Sequence, residues 1–233
     1  ISFKNGLAEL PQLLVAALGE SVHANVSISL IQKIGTAWRV DWNGKTNIYD
    51  EVLLTTPTHA LDKLPFDESL QKALQPLLAI DYSPVSVLTV AFKRSDVAQP
   101  LDGFGMLVPE CEGRKILGVL FPASLFANRA PAGEVLLTVF VGGERQAELA
   151  VPDKDTLLAT VLPELNELFG TTGEPTFSHH RHWPRAIPQY NFGYGKMLAQ
   201  MDAIEKQFAG LKLAGNYRDG ISLSYCIEAA VSK

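Results

Sequence analysis

A strand, a glycine-framed turn and a helix follow one another without a break in Leu211 to Glu228, LKLAGNYRDGISLSYCIE. Leu211, Leu213 and Ala214 have the apolar character of a short buried strand, and Gly215 and Gly220 bracket the turn. A helix is expected from about Ser224, carrying Cys226 and Ile227 inward. A strand that hands over to a helix through glycines sets free backbone N–H groups and the positive end of a helix above the strand ends, a place suited to an electron-rich ligand edge. The same spacing also serves a plain strand-to-helix connection whose glycines are there for backbone shape.

The first third of the chain reads as elements that feed such a turn. Apolar residues at 7, 10, 13, 14, 17 and 18 have helical spacing closed by Gly19. From Val22 to Val40 the pattern alternates, with Val26, Ile28 and Leu30 on one side, and Asn43-Gly44 is a hairpin signal, so a meander of short strands is expected. In YDEVLLTTPTHA, Tyr49 to Ala60, a buried strand over Val52, Leu53 and Leu54 stops at Thr55, Thr56 and Pro57. The carboxyl end of a buried strand is where α/β proteins place ligands. His59 reads as a loop or helix-start residue before it reads as a base.

Past Lys63 the pattern changes. A helix over Phe66 to Leu78, interrupted by Pro76, precedes four segments rich in β-branched and aromatic residues: Val85–Phe92, Gly103–Pro109, Lys115–Phe121 and Val135–Gly142. They predict a mostly antiparallel sheet, and the helical pattern from Asp155 to Phe169, stopped by Gly170, covers it. The cluster His179, His180 and His182 puts two histidines on one side of an extended segment, but no cysteine or carboxylate lies at zinc-site spacing, so no metal is expected. An amphipathic helix over Lys196 to Phe208 leads back to the turn. The expected organisation is therefore residues 1–62, an independent lobe over 63–190, and a closing segment over 191–233.

Several function classes are disfavoured. A formal charge of −5 argues against a nucleic-acid partner. Two cysteines, Cys111 and Cys226, make no disulfide framework, so a reducing, cytoplasmic setting is the default. No apolar run approaches the roughly 20 residues of a membrane span, and no signal peptide precedes the first strand. There is no G-x-S-x-G, no phosphate loop and no cysteine signature, so no catalytic side chain is assigned. Gly103-Phe-Gly105 and Gly193-Tyr-Gly195 lack the third glycine of a dinucleotide fingerprint, and the first methionine is Met106. No dinucleotide fingerprint is therefore expected within this chain.

The wording of four ordered segments is more specific than their periodicity. SFKNGLAELPQLL at 2–14, YDEVLLTTPTHA at 49–60, the group GFGMLVP, ILGVLFPASLFANRAP and LLTVFVGG at 103–143, and HWPRAIPQYNFGY with GNYRDGISLSYCIE at 182–228 resemble the protoporphyrinogen oxidases of the FAD-dependent amine oxidase superfamily. The resemblance covers essentially the whole chain but only about half of a family member. It implies an α+β chain: a remnant of an α/β flavoprotein, with FAD-domain strands and a mostly antiparallel substrate lobe covered by helices. It implies FAD contacts at Ile28, at Thr55, Thr56 and Pro57, and at Gly215, Asn216, Gly220, Ile221, Ser222 and Leu223. It places Leu107, Leu120 and Phe140 against a tetrapyrrole substrate, a flat macrocycle that calls for apolar and aromatic walls.

The implied reaction is oxidation of protoporphyrinogen IX by hydride removal to FAD, with oxygen as acceptor; the cofactor does the redox chemistry, which accords with the missing catalytic set. Coproporphyrinogen oxidases, carotenoid desaturases, amine oxidases and a non-catalytic tetrapyrrole-binding module share parts of the pattern. Tyr194 stands where the family usually has histidine. The family's dinucleotide fold, its propionate-pairing arginine and its region of peripheral membrane association have no counterpart here. Weak or no FAD retention, no activity alone, and self-association or a homodimer through uncovered apolar surface are the expected behaviour.

Overall fold

The computed structural model describes residues 3–151 and 153–232; Ser2, which opens the first motif segment, lies outside them. Two compact units are present, Ile1–Asp81 with Pro188–Lys233, and Tyr82–Ile187.

In the first unit, helix α1 (Glu9–Leu18) ends at Gly19 as its spacing predicts, but it buries no residue: Leu13, Leu14, Val15 and Leu18 all stand exposed. Strands β1 (Ile28–Ile34), β2 (Ala37–Trp42) and β3 (Lys45–Tyr49) form the expected meander, an antiparallel sheet turning at Asn43–Gly44. After β4 (Val52–Leu54) and a tight helical turn over Thr58–Lys63 that contains His59, helix α2 (Glu68–Leu74) begins at Asp67, whose carboxylate accepts the Leu70 N–H at 3.0 Å. Pro76 ends regular helix there, and Gln75–Ala79 continues as a tighter turn. Leu70, Leu74 and Leu77 are buried, and Phe66 and Asp67 pair with Ile31 of β1 through backbone. These contacts tie residues 63–81 to the first unit, so the unit boundary falls at Asp81–Tyr82, whereas the change of pattern marks Lys63.

The second unit is one five-stranded sheet in the order β6-β7-β8-β5-β9. Its strands are β5 (Tyr82–Lys93), β6 (Gly105–Leu107), β7 (Gly118–Leu120), β8 (Glu134–Gly142) and β9 (Phe177–Pro188), with a short helix α3 (Pro122–Leu125) between β7 and β8. Helix α4 (Lys154–Phe169) starts at Asp153, which accepts the Thr156 N–H at 2.7 Å, and stops at Gly170 in the left-handed region. Its Leu157, Val161 and Leu165 pack with Leu88, Leu137 and Val139 from one side of the sheet. Four strands are predicted and a fifth is found. β9 escapes a propensity reading because SHHRHWPRAIP is polar and carries Pro184 and Pro188, residues that only an edge strand accommodates.

His180 and His182 do share a side of β9, and both reach Ser86 of β5. The buried Ser86 hydroxyl donates its one proton to the Val151 carbonyl at 2.9 Å. It must therefore accept from His180 Nε2 at 3.1 Å and from His182 Nδ1 at 3.2 Å, which assigns both tautomers. Burial, then the neighbouring His182 and His179, push the His180 imidazole below the usual histidine range, against a smaller opposing pull from Asp153.

The chain returns through α5 (Gly195–Gln207) to β10 (Leu211–Leu213), which is buried as expected, and ends in α6 (Leu223–Ser232). α6 does not carry Cys226 and Ile227 inward: it buries no residue, Ile227 is 44% exposed and Cys226 only half-buried. Nothing among the described residues packs over it. What anchors this region is Arg218. Its guanidinium, 10% exposed, donates to both Glu205 oxygens at 2.6 and 3.1 Å, to Asp202 at 2.7 Å and to the Leu213 carbonyl at 3.1 Å, while Glu205 also accepts the Leu213 N–H at 2.7 Å.

Two outcomes are expected. Arg218→Met leaves the Glu205 carboxylate half-buried and should cost about 2–3 kcal/mol in urea unfolding; a loss under about 0.5 kcal/mol would show that Arg218 anchors nothing. His180 is neutral when folded and takes up its proton more readily when unfolded, so its contribution is intact above the ordinary histidine pKa of about 6.5 and declines as pH falls below it. The urea midpoint should therefore drop on acidification in that window, above the range where Asp41, Asp67 and Asp153, all held below the usual carboxylate range, lose theirs. His180→Gln should flatten the drop, and an unchanged slope would refute the assignment.

Candidate functional site

In the first unit, β4 and β10 pair in parallel, Val52 with Leu211, Leu53 with Lys212 and Leu54 with Leu213. The Ala214 N–H then donates to the Leu54 carbonyl at 3.0 Å, so both strands end side by side and Thr55-Thr56-Pro57 emerges next to Gly215-Asn216. Gly215 has φ 143°, and a Cβ there would lie 2.9 Å from the Tyr217 ring and 3.8 Å from the Thr55 carbonyl oxygen. The Thr56 hydroxyl oxygen is shielded from solvent and has no hydrogen-bond partner among the described residues, a costly state for a buried polar group.

The turn beyond Gly215 is closed by the Arg218 and Asp219 N–H groups on the Gly215 carbonyl, at 3.0 and 3.2 Å. Tyr217 is buried beneath it. Gly220 has φ 112°, and a Cβ there would lie 2.9 Å from the Tyr225 Cβ. Ser222 caps α6, its hydroxyl accepting the Tyr225 N–H at 3.2 Å, while Ile221 and Leu223 stand 45% and 44% exposed. The turn and helix start thus present backbone and two apolar side chains outward.

Of the sequence-predicted cofactor residues, the structure brings Thr55, Thr56, Pro57, Gly215 and Asn216 to one pair of strand ends and strings Gly220 to Leu223 along the turn that follows. Ile28 is not part of this pair: it opens β1 of the separate meander sheet, opposite Trp42 and next to a register shift. The meander is joined to the site through Trp38, whose indole N–H donates to the Ala209 carbonyl at 3.2 Å just before β10.

In the second unit the sheet side away from α4 carries all three predicted substrate residues. Strand register sets Leu107, Gly118, Phe140 and Val87 in one row, and Gly105, Leu120, Thr138 and Thr89 in the next. Leu107 and Phe140 therefore flank a position without a side chain. A Cβ at Gly118 would sit 2.6 Å from the Met106 carbonyl oxygen, so that floor stays flat. Leu107 is 86% exposed and Phe104, at the lip, 66%. The three residues form an open apolar face, not an enclosed pocket.

Sequence reasoning missed the hold of four residues on the Gly215–Gly220 turn: Tyr190, Tyr194, Tyr217 and Arg218. The Tyr190 hydroxyl donates to the Asn216 carbonyl at 2.5 Å and accepts the Gly220 N–H at 3.2 Å, and Tyr194 donates to the Tyr217 carbonyl. For Tyr190 and Tyr194 the signal in the sequence is the Tyr-x-x-x-Tyr spacing in QYNFGY, which reads as an ordinary loop until the turn is in place.

Comparison with known proteins identifies the family. The pattern of the family described as flavin containing amine oxidoreductase matches residues 1–232. Among curated relatives, the mitochondrial protoporphyrinogen oxidase of Nicotiana tabacum is 38% identical over 189 residues, 78% of this chain and 37% of that one. Protoporphyrinogen oxidase 2 of Arabidopsis thaliana, chloroplastic/mitochondrial, is 31% identical over 98% of this chain and 48% of its own length. Coproporphyrinogen III oxidase of Staphylococcus aureus is 24% identical over 97% of this chain and 49% of its own. The chain thus spans about half the length, or less, of the relatives it matches.

Among solved structures, a protein of Exiguobacterium sp. 255-15 assigned as a protoporphyrinogen oxidase superposes with TM-score 0.80 at 24% identity, over 99% of this chain and 50% of that one. UDP-galactopyranose mutase superposes at 0.70 with 13% identity over 92% of this chain and 46% of its own, a likeness of fold. On the family match over nearly its whole length and the identity to these relatives, the chain belongs to the flavin containing amine oxidoreductases.

Proposed function

We propose that the chain supplies the substrate-facing and isoalloxazine-facing half of an oxygen-dependent protoporphyrinogen oxidase, which converts protoporphyrinogen IX to protoporphyrin IX in haem biosynthesis. The observation that carries this reading is the sheet face on which Leu107, Leu120 and Phe140 stand together across three adjoining strands. A tetrapyrrole is broad and flat, and a side of a sheet with apolar walls around a glycine floor is shaped for its face.

FAD fits the first unit on physical grounds. The unpartnered Thr56 hydroxyl needs a polar neighbour, and the Gly215 and Gly220 positions admit close approach that a Cβ would fill. In this reading Thr55, Thr56, Pro57, Gly215 and Asn216 hold the ring edge at the paired strand ends, Gly220 to Leu223 lie along it, and the backbone at Ile28 serves the adenine end. FAD held there would supply a hydride acceptor that oxygen can reoxidise. The protein's part is orientation and exclusion of water, and no side chain is assigned a proton.

A second reading, coproporphyrinogen as substrate, is favoured by the similarity to the Staphylococcus aureus coproporphyrinogen III oxidase along nearly the whole chain. The two differ in the number of carboxylates on the macrocycle, so binding separates them.

In titrations of the purified chain, protoporphyrin IX is expected to bind and Leu107→Asp to weaken it more than tenfold, the equivalent of about 2 kcal/mol of lost apolar contact. FAD alone should bind weakly. Preference for coproporphyrin III would move the assignment to the second reading, and equal binding by wild type and Leu107→Asp would remove the sheet face from it. The exposed apolar sides of α1 and α6 support self-association of the chain. Sedimentation should show concentration-dependent oligomers that Leu14→Glu with Val231→Glu disperses; a monomer at all concentrations would end that proposal.

A further inference from the structure

We propose that Tyr190 is a positioning residue for the flavin-facing turn, a role that rests on the flavin reading above. The turn from Gly215 to Gly220 has its middle held from below: Tyr217 is buried, and Arg218 is locked to Asp202 and Glu205. Its outer ends are held more lightly: Asn216 is half-buried, Ile221 and Leu223 stand exposed, and the Gly220 carbonyl accepts only a long Cys226 Sγ contact at 3.6 Å among the described bonds.

One hydroxyl spans those ends. Tyr190 gives its proton to the Asn216 carbonyl at 2.5 Å and takes the Gly220 N–H at 3.2 Å, so its donor and an acceptor position are used across the turn. The ring is held in place by Tyr194, 4.5 Å away between centroids at 31°, and Tyr194 itself donates to the Tyr217 carbonyl. Tyr194, where the family's histidine would stand, thus makes the second bond of the same brace.

Gly220 is the residue from which α6 departs, and α6 buries nothing. A helix without buried contacts takes its direction from its entry point. At φ 112°, a conformation open to glycine and strained for other residues, the Gly220 peptide has many alternatives. The Tyr190 hydroxyl selects one of them, and with it the orientation of the Ile221-Ser222-Leu223 backbone offered to the ring.

Amide exchange measured by NMR on the labelled full chain, with and without FAD in large excess, tests this with Tyr190→Phe, and with Tyr194→Phe as a companion that keeps the Gly220 bond. Tyr190→Phe should speed exchange at Gly220 by about tenfold, the scale of one hydrogen bond, and leave β10 and α5 amides unchanged. It should also weaken FAD by a similar factor and alter the fine structure of the bound-flavin absorption band, a signature that general destabilisation does not produce. Unchanged Gly220 exchange in Tyr190→Phe, or faster exchange with identical flavin affinity and spectrum, overturns the positioning role. No flavin-dependent protection anywhere in Gly215–Leu223 of the wild-type chain overturns the flavin reading instead.

Discussion

Two strands from opposite ends of the chain, β4 and β10, meet in parallel at Val52–Leu54 and Leu211–Leu213, and the proposed cofactor site hangs on that pairing. The pair is short, so it depends on what braces it. Glu205 of α5 accepts the Leu213 N–H and simultaneously receives Arg218 from the following turn, while Trp38 of the meander caps the preceding Ala209 carbonyl. A charge pair that is mostly removed from solvent is a poor source of net stability but a strict judge of geometry. Here it couples helix, strand and turn into one arrangement. The strand ends can then offer small residues and an unsatisfied Thr56 hydroxyl, because rigidity is provided from behind.

The second unit solves a different problem. Its sheet has one side packed on α4 with Leu88, Leu137 and Val139 at the centre, and the other side left open with Leu107, Leu120 and Phe140. Alternation along each strand produces both faces from the same segments. A packed side holds the strands in register, and the register decides which apolar residues are free to meet a ligand. The Ser86, His180 and His182 cluster fastens the edge strand β9 to this frame, so the histidines that resemble a metal motif in sequence are committed to a serine hydroxyl.

Two helices of the first unit leave apolar surface uncovered among the described residues. α1 has the amphipathic pattern of a packed helix, yet Leu13, Leu14 and Leu18 face outward, and α6 shows Tyr225, Ile227 and Val231 in the same way. Ten-residue helices of this kind are marginal in isolation, and an amphipathic pattern like theirs is one that a packing surface would bury. That is also why the expectation that Cys226 and Ile227 point inward failed: apolar character predicts burial only where a partner is at hand.

Much was legible in the sequence alone. The strand, glycine turn and helix at 211–228, the strand ending at Thr55-Thr56-Pro57, the hairpin at Asn43–Gly44 and the helix that Gly170 stops are all local events, set by residue type and spacing. So was the motif order that carries the family. The fifth strand, the unit boundary at Asp81–Tyr82, the open form of the Leu107, Leu120 and Phe140 face, and the hold of Tyr190, Tyr194 and Arg218 on the turn were decided only in three dimensions. Each depends on a partner far away in the chain: Ser86 for β9, Ile31 for Phe66, Gly118 between Leu107 and Phe140, Glu205 for Arg218. Periodicity reports which side of an element is apolar, but it carries no record of what comes to lie against that side.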